Sequence, residues 1–228
     1  MFLEICVTTF EAALRAQNAG ADRIELCEDL PSGGVTPKFE LAEYCQKNLQ
    51  VKLHVMIRPR PGNFFYTDSE FGRMKKEIEI AKKMKADGVV FGMLTEDRKV
   101  DVIRTKELVE LSKPLKVTFH RAFDEAAEPF EALENMIECG ADILLTSGQK
   151  EKAYDGASLI RELRNRSDGR IEIMAGSGIT DENILEIANK TGIKSFHGSA
   201  KKINSAGEII YADEAMIKSM KSQLCKLG

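Results

Sequence analysis

The sequence predicts a closed (β/α)8 barrel of the TIM type, and three observations favour this fold. Eight predicted strands alternate strictly with eight predicted helices, an order typical of a parallel sheet. The step from a helix end into an even-numbered strand recurs at Gly20, Ala86, Gly140 and Thr191, so a two-strand unit is repeated four times. The length of 228 residues suits the barrel. A doubly wound sheet would carry a GxGxxG turn after its first strand, which this sequence lacks.

The first predicted unit, residues 2–27, shows how the elements are recognised. Apolar side chains alternate along residues 2–7, Thr8 and Glu11 have the spacing of a capping box, and Gly20 ends the helix ahead of a second strand. Later units keep this order, and Asp68 or Ser69 is expected to cap the long charged third helix. The predicted strands cover residues 2–7, 23–27, 51–58, 88–94, 115–121, 142–147, 170–176 and 195–199. The predicted helices cover residues 10–19, 37–48, 68–85, 102–111, 129–139, 156–165, 181–190 and 213–224.

The composition indicates one domain spanning residues 1–228, because 43% of the residues are hydrophobic, 30% are charged and no linker-like tract interrupts them. A net charge of −3 without a basic stripe argues against a nucleic-acid partner. We find no apolar run long enough to cross a membrane and no signal-peptide pattern. Five cysteines without a CxxC spacing favour reduced thiols. Together these features predict a cytoplasmic protein with no membrane partner.

Ionisable residues share one face of several predicted strands. Side chains alternate between the two faces of a strand, so Glu4 and Cys6 lie opposite the apolar residues of the first strand, as Glu25 and Cys27 do in the second. The apolar face should pack beneath the helices, which directs the ionisable face into the barrel. The inward set predicted in this way is Glu4, Cys6, Glu25, Cys27, His54, Met56, Arg58, Thr118, His120, Glu172 and His197.

Buried charges need partners, so this set forms either a structural network of Glu–Arg and Glu–His pairs or a ligand site. Active sites of such barrels lie at the C-terminal ends of the strands. We therefore regard Glu25, His120 and Arg58 as candidate catalytic residues. His120 or Glu25 would serve as the general acid or base, and Arg58 would hold an anionic group.

Cys6 and Cys27 occupy equivalent positions on two strands that should be neighbours, at equal depth. Two thiolates so placed can hold a soft ion such as Cu(I), and Met56 has the parity to add a thioether. The alternative is that both cysteines are small buried hydrophobic residues and that Met56 fills the core.

Two short glycine turns follow the seventh and eighth predicted strands. In many barrels the corresponding loops bind a phosphate through backbone N–H groups. We therefore predict an anion site formed by Gly176, Gly178, Gly198 and Ser199. The alternative is a pair of tight turns without a ligand.

Short motifs recur along nearly the whole chain: LEICV at residues 3–7, GADRIELC at 20–27, GGVTP at 33–37, VMIRPR at 55–60, DGVVFG at 87–92, TFHRAFD at 118–124, LTSG at 145–148 and FHGSA at 196–200. Together these motifs resemble the CutC family, named for copper homeostasis. The resemblance implies a cytoplasmic (β/α)8 barrel that forms oligomers, often dimers, and that binds Cu(I) with Cys6 and Cys27 as ligands.

Two functions remain open at this point. A copper homeostasis protein that binds Cu(I) explains the cysteine pair but gives no role to His120, Arg58 or the glycine turns. An isomerase or lyase acting on a small phosphorylated or carboxylated metabolite explains those residues instead. A Schiff-base aldolase is disfavoured, because no lysine stands at the C-terminal end of a predicted strand.

Overall fold

The computed structural model, which describes residues 1–203 and 209–227, has a closed barrel of eight parallel strands in sequence order. β1 pairs with β2 on one side and with β8 on the other, which closes the sheet. The predicted (β/α)8 fold is therefore confirmed. The strands are β1 Phe2–Val7, β2 Arg23–Leu26, β3 Lys52–Met56, β4 Gly88–Phe91, β5 Lys116–Phe119, β6 Ile143–Thr146, β7 Glu172–Ala175 and β8 Ser195–Gly198.

Within the described residues, eight α-helices follow the eight strands of the barrel. They are α1 Phe10–Asn18, α2 Phe39–Asn48, α3 Asp68–Lys83, α4 Val102–Ser112, α5 Pro129–Cys139, α6 Ala157–Ser167, α7 Ile184–Thr191 and α8 Glu214–Cys225. Two 3₁₀ turns, Leu30–Ser32 and Arg121–Glu125, lie in the loops after β2 and β5. A short antiparallel pair, β9 Lys202–Ile203 and β10 Ile209–Ile210, follows β8 and was not expected from the sequence.

Two helix caps differ from the sequence-based prediction by one or two residues. Thr9, and not Thr8, caps α1 by accepting the Ala12 N–H at 3.2 Å. Thr67 caps α3 and exchanges reciprocal hydrogen bonds with Glu70, so Asp68 already lies within the helix. Both caps have extended backbone dihedrals, which the residue preceding the first helical turn must adopt.

The apolar faces of the strands form the core between the barrel and its helices, as predicted. Leu3, Ile5 and Val7 are fully buried there. The inner face holds polar side chains beside two small apolar clusters, one with Met56 and Val90 and one with Ile143, Leu145 and Met174, and glycines make room for the larger side chains. A Cβ atom on Gly88 would lie 2.3 Å from Nε2 of His54, so the imidazole occupies the space that a side chain of β4 would fill.

Arg23 and His197 neutralise Glu4 inside the barrel. The Arg23 guanidinium pairs with the Glu4 carboxylate, and both residues are buried. Nδ1 of His197 lies 2.7 Å from the other carboxylate oxygen of Glu4. Burial alone disfavours the charged form, but these partners hold the pKa of Glu4 far below its usual range. The sequence had indicated that Glu4 needs partners, and the structure supplies one from β2 and one from β8.

Glu172 was expected to lie deep inside the barrel, and that expectation was wrong. Glu172 begins β7 at the N-terminal end of the barrel, is exposed, and accepts a hydrogen bond from the Ser195 hydroxyl. The first residue of a strand lies at the rim of the barrel, so an inward-facing side chain at that position is still exposed to solvent.

Replacing Arg23 by Met should remove about 3–5 kcal/mol from the free energy of unfolding, because the Glu4 carboxylate would stay buried without its main partner. Urea denaturation at neutral pH measures the loss. The control is Lys47→Met, which breaks the exposed Lys47–Glu43 pair of α2 and should cost less than about 1 kcal/mol. Equal costs for the two variants would show that the buried pair does not stabilise the barrel.

Gly88→Ala should lower the free energy of unfolding by about 1–3 kcal/mol, since the new methyl group overlaps the His54 ring. The matched control is Gly72→Ala within α3, where a Cβ meets nothing within 4 Å. That change should add roughly 0.5–1 kcal/mol through helix propensity. A neutral Gly88→Ala variant in the same denaturation assay would mean that the His54 ring can move aside.

Candidate functional site

A cavity of about 700 Å³ lies at the C-terminal ends of the barrel strands. Loops after β2, β3, β5, β7 and β8 contribute to its wall. Most of the residues that the sequence singled out line it, namely Cys6, Glu25, Arg58, His120, Gly178, Gly198 and Ser199. The lining does not include Cys27 or Gly176.

Three potential metal ligands converge on one side of this cavity. One donor atom each of Cys6, Glu25 and His197 lies within 4.8 Å of the other two, and all three residues are buried. The register of the barrel explains the grouping, because Cys6 pairs with Glu25 across β1 and β2 while Glu4 pairs with His197 across β1 and β8. We call Cys6, Glu25 and His197 the Cys6 cluster.

Proton positions in the Cys6 cluster follow from the contacts of His197. Its Nδ1 is bound to Glu4, which leaves Nε2 facing Cys6 and 3.9 Å from a carboxylate oxygen of Glu25. Burial opposes the imidazolium, but Cys6, Glu25 and the hydrogen bond to Glu4 raise the pKa of His197 well above its usual value. Burial raises the pKa of Glu25 to about 7, and Glu4 adds to that shift while His197 opposes it. Glu25 can therefore take up or release a proton near neutral pH.

Cys27 does not lie level with Cys6, and the expectation of equal depth was wrong. Cys6 is opposite Glu25, so Cys27 lies two residues farther along its strand direction, beyond the end of β2. Its Sγ lies 3.7 Å from the Val7 carbonyl oxygen, and Met56 packs against it. Burial, together with nearby Cys6, strongly raises the pKa of the Cys27 thiol. Neighbouring strands of a closed barrel are staggered, which sequence parity does not reveal.

His120 forms the opposite wall and is buried. Its Nδ1 accepts the Ala122 N–H at 3.2 Å, and its ring lies against the Phe64 ring at a centroid distance of 5.0 Å. Burial and the positive charge of Arg58 lower the pKa of His120 to about 3. The imidazole is therefore neutral at physiological pH.

Arg58 joins two loops that form the rim of the cavity. Its guanidinium donates to the carbonyl oxygens of Ser32, Gly34 and Gly62 at 2.9–3.0 Å. These bonds hold the loop after β2 against the loop after β3. The same bonds use three of its five N–H groups. Within residues 1–203 and 209–227 the buried Nε of Arg58 has no partner, so Arg58 can still offer a ligand its charge, the Nε–H and one N–H of Nη2.

The residues of the predicted anion site differ in whether they line the cavity and in whether their N–H groups are already bound. The Gly176 N–H donates to the Thr146 carbonyl at 3.0 Å within the sheet, so it is occupied. Gly178 has a positive φ of 69° and lines the cavity with Ile179, and within residues 1–203 and 209–227 their N–H groups have no protein acceptor. Ser199 and Lys201 lie on the same wall. Gly178 and Ser199 both line the cavity, and the anion site there stays a prediction.

The sequence-based reasoning missed two residues that organise the site. Arg23 has the same strand parity as Glu25, a signal that could have marked it as the partner of Glu4. Asp124 accepts hydrogen bonds from the Thr146 hydroxyl at 2.6 Å and from the backbone N–H groups of Ser147 and Gln149. It therefore fixes the loop after β6 to the turn after β5, a role that no local pattern indicates.

Comparison with solved structures first confirms the fold. Phosphoribosylanthranilate isomerase from Thermotoga maritima superposes with a TM-score of 0.65 over 99% of both chains, at 14% sequence identity. At this identity, the similarity shows the fold alone. A copper homeostasis protein CutC from Streptococcus agalactiae superposes with a TM-score of 0.83 at 31% identity, covering 87% of this chain and 98% of that one.

Sequence comparisons identify the family. The family protein CutC of Bacteroides fragilis is 46% identical over 214 residues, which cover 93% of this chain and 85% of the relative. The human copper homeostasis protein cutC homologue is 43% identical over 205 residues, covering 90% and 75% respectively. None of the described helices has the length and apolar character needed to cross a membrane. The model of the CutC family matches residues 1–202, and the chain therefore belongs to the CutC family.

Proposed function

We propose that this protein acts in copper homeostasis by binding Cu(I) at the Cys6 cluster, in the cytoplasm. The observation that supports the proposal is the convergence of a thiol, an imidazole and a carboxyl group within 4.8 Å beside a cavity. Thiolate is the ligand that Cu(I) prefers, and imidazole is a good second donor. The copper homeostasis name of the human relative agrees with this role.

Each member of the Cys6 cluster has a separate role in this proposal. Cys6 supplies the thiolate, and His197 supplies Nε2 once Cu(I) has displaced the proton held there. The hydrogen bond between Nδ1 and Glu4 fixes the direction of Nε2. A carboxylate behind a ligand histidine orients the ring and makes it a better donor. Metal binding releases protons from its ligands. Glu25, with a pKa of about 7, is placed to accept the proton of Cys6.

Cys27 is proposed as the second thiolate ligand, as the sequence suggested. It lies next to Met56, so two soft sulfur atoms stand beside the cluster. Its raised pKa means that Cu(I) must displace a tightly held proton before Cys27 can bind. We therefore expect Cys27 to contribute less affinity than Cys6.

Cys6→Ser should weaken Cu(I) binding by at least about tenfold, or about 1.4 kcal/mol, because serine cannot provide a soft ligand. Cys27→Ser should weaken it by less, and the parent should bind about one Cu(I) per chain. Competition with a chromophoric Cu(I) chelator under anaerobic, reducing conditions measures both values.

The control is Cys139→Ser, whose thiol lies in α5 near the Val102 carbonyl and should have no effect. If the double Cys6→Ser, Cys27→Ser variant binds Cu(I) as tightly as the parent, the two cysteines are core residues and the copper proposal fails.

A second candidate function is an isomerase or lyase acting on a small phosphorylated or carboxylated metabolite. The cavity volume of about 700 Å³ favours it, because this volume suits a metabolite and is far larger than a copper ion needs. Glu25 would be the general acid or base. The anionic group would lie at Gly178, Ile179 and Ser199, with Lys201 and Arg58 adding positive charge.

The family resemblance also leads us to propose a homodimer. Size-exclusion chromatography with light scattering tests this assembly, and a monomer at micromolar concentration would refute it.

Inorganic phosphate should shift the amide resonances of Gly178 and Ser199, since the N–H of Gly178 has no acceptor within the described residues and Ser199 lies on the same wall. A titration followed by ¹H–¹⁵N NMR measures the response. Gly192 is the internal control, because its N–H is bound to Ala188 at the opposite end of the barrel. Unchanged Gly178 and Ser199 signals at millimolar phosphate would count against an anion site.

A further inference from the structure

His120 presents a single hydrogen-bond donor of known direction to the cavity. The Ala122 N–H donates to Nδ1, so Nδ1 is unprotonated. A neutral imidazole carries its one proton on the other nitrogen, and burial together with Arg58 keeps the ring neutral. The proton is therefore on Nε2, which makes His120 a donor at this position and not a general base.

This donor has no acceptor in the described part of the protein. Among the described residues Nε2 of His120 has no hydrogen-bond partner, and it is buried, since the residue is only 5% exposed. An unsatisfied buried donor destabilises the folded protein, so native proteins usually supply a partner. Because His120 lines the cavity, a molecule bound in the cavity is the available source of a hydrogen-bond acceptor for Nε2.

The ring cannot turn away from the cavity at low cost. A Cβ atom on Gly92 would lie 2.5 Å from Nδ1 of His120, so the ring rests directly on the backbone of this glycine. Phe64 contacts the ring as well, and the Ala122 N–H fixes its edge. A donor held in this way needs no reorganisation to bind a ligand oxygen.

A second unpaired atom lies on the lining of the same cavity. Oε2 of Glu25 is buried and has no partner among the described residues. The cavity thus carries one neutral donor on the β5 side and one carboxyl oxygen on β2. A ligand that satisfies both must offer an oxygen acceptor to His120 and a hydroxyl or polarised C–H group to Glu25.

We propose that the cavity binds a small metabolite containing a carbonyl or enolate oxygen, which accepts the Nε2–H of His120. This proposal deepens the second candidate function and does not depend on copper. A neutral imidazole N–H can polarise a carbonyl group and stabilise negative charge on its oxygen. One neutral donor suits such an oxygen better than a phosphate, which would lie near Gly178, Ile179 and Lys201. The ligand class is therefore a phosphorylated or carboxylated hydroxy-carbonyl compound.

The first test is the tautomer of His120 in the free protein. Long-range ¹H–¹⁵N correlation spectra at neutral pH should show a protonated Nε2 and an unprotonated Nδ1. An Nδ1–H tautomer, or an imidazolium at that pH, would remove the donor and overturn the proposal. This measurement needs no ligand and no metal.

The second test uses phosphoglycolohydroxamate, a planar phosphorylated mimic of an enediolate, with protein freed of metals by chelation. His120→Met should weaken its binding by at least about tenfold, since the donor is lost. His120→Gln should keep the affinity within about threefold, because the Gln amide can place an N–H near the position of Nε2. Isothermal titration calorimetry measures the affinities, and thermal unfolding shows whether each variant is folded.

Inorganic phosphate separates this inference from the anion site. Its affinity should be the same in the parent and in His120→Met. Equal binding of the hydroxamate to the parent and to a folded His120→Met variant would refute the role of His120 even if phosphate still binds. Conversely, a shift of the Nε2–H resonance with acetohydroxamate, which lacks phosphate, would support the His120 site even if Gly178 does not respond.

Discussion

The Glu4 carboxylate is the constraint around which the interior of this barrel is arranged. It is fully buried, and a charge in such a place is tolerated only when opposite charges and hydrogen-bond donors surround it. Arg23 comes from the strand on one side and His197 from the strand on the other, so one carboxylate links three neighbouring strands. The closed barrel is what brings β8 beside β1 and makes this arrangement possible.

The chemistry of the cavity follows from this buried group. Glu4 fixes the His197 ring through Nδ1, and Nε2 is thereby directed towards Cys6 and Glu25. Burial, with the charge of Glu4 as a further cause, raises the pKa of Glu25 to about 7, so a proton can be held at the cavity wall near neutral pH. A thiol, an oriented imidazole and a proton acceptor are the elements needed to deprotonate a soft ligand and bind a metal ion.

The two histidine walls of the cavity differ because their electrostatic surroundings differ. His197 lies among acidic groups and a thiol, which favour its protonated form, whereas His120 lies near Arg58 and apolar rings, which favour its neutral form. The acidic groups and the thiol beside His197 suit a cation once the imidazole has lost its proton, whereas the neutral His120 suits an oxygen acceptor. A metal ion at the Cys6 cluster and a metabolite at His120 would share one cavity, so binding of one would affect binding of the other.

The sequence by itself determined the fold and the inward direction of most polar residues. Alternation of elements specifies a parallel barrel, and strand parity is a local property, so Glu4, Cys6, Glu25 and His120 could be assigned from the chain alone. Only the tertiary structure decided which of these residues meet. The stagger of the closed sheet places Cys6 opposite Glu25 and leaves Cys27 beside Met56. Ladder hydrogen bonding occupies the Gly176 N–H, and the Ala122 N–H selects the tautomer of His120. Register and hydrogen-bond partners depend on contacts between distant strands and loops, and no local pattern in the sequence encodes them.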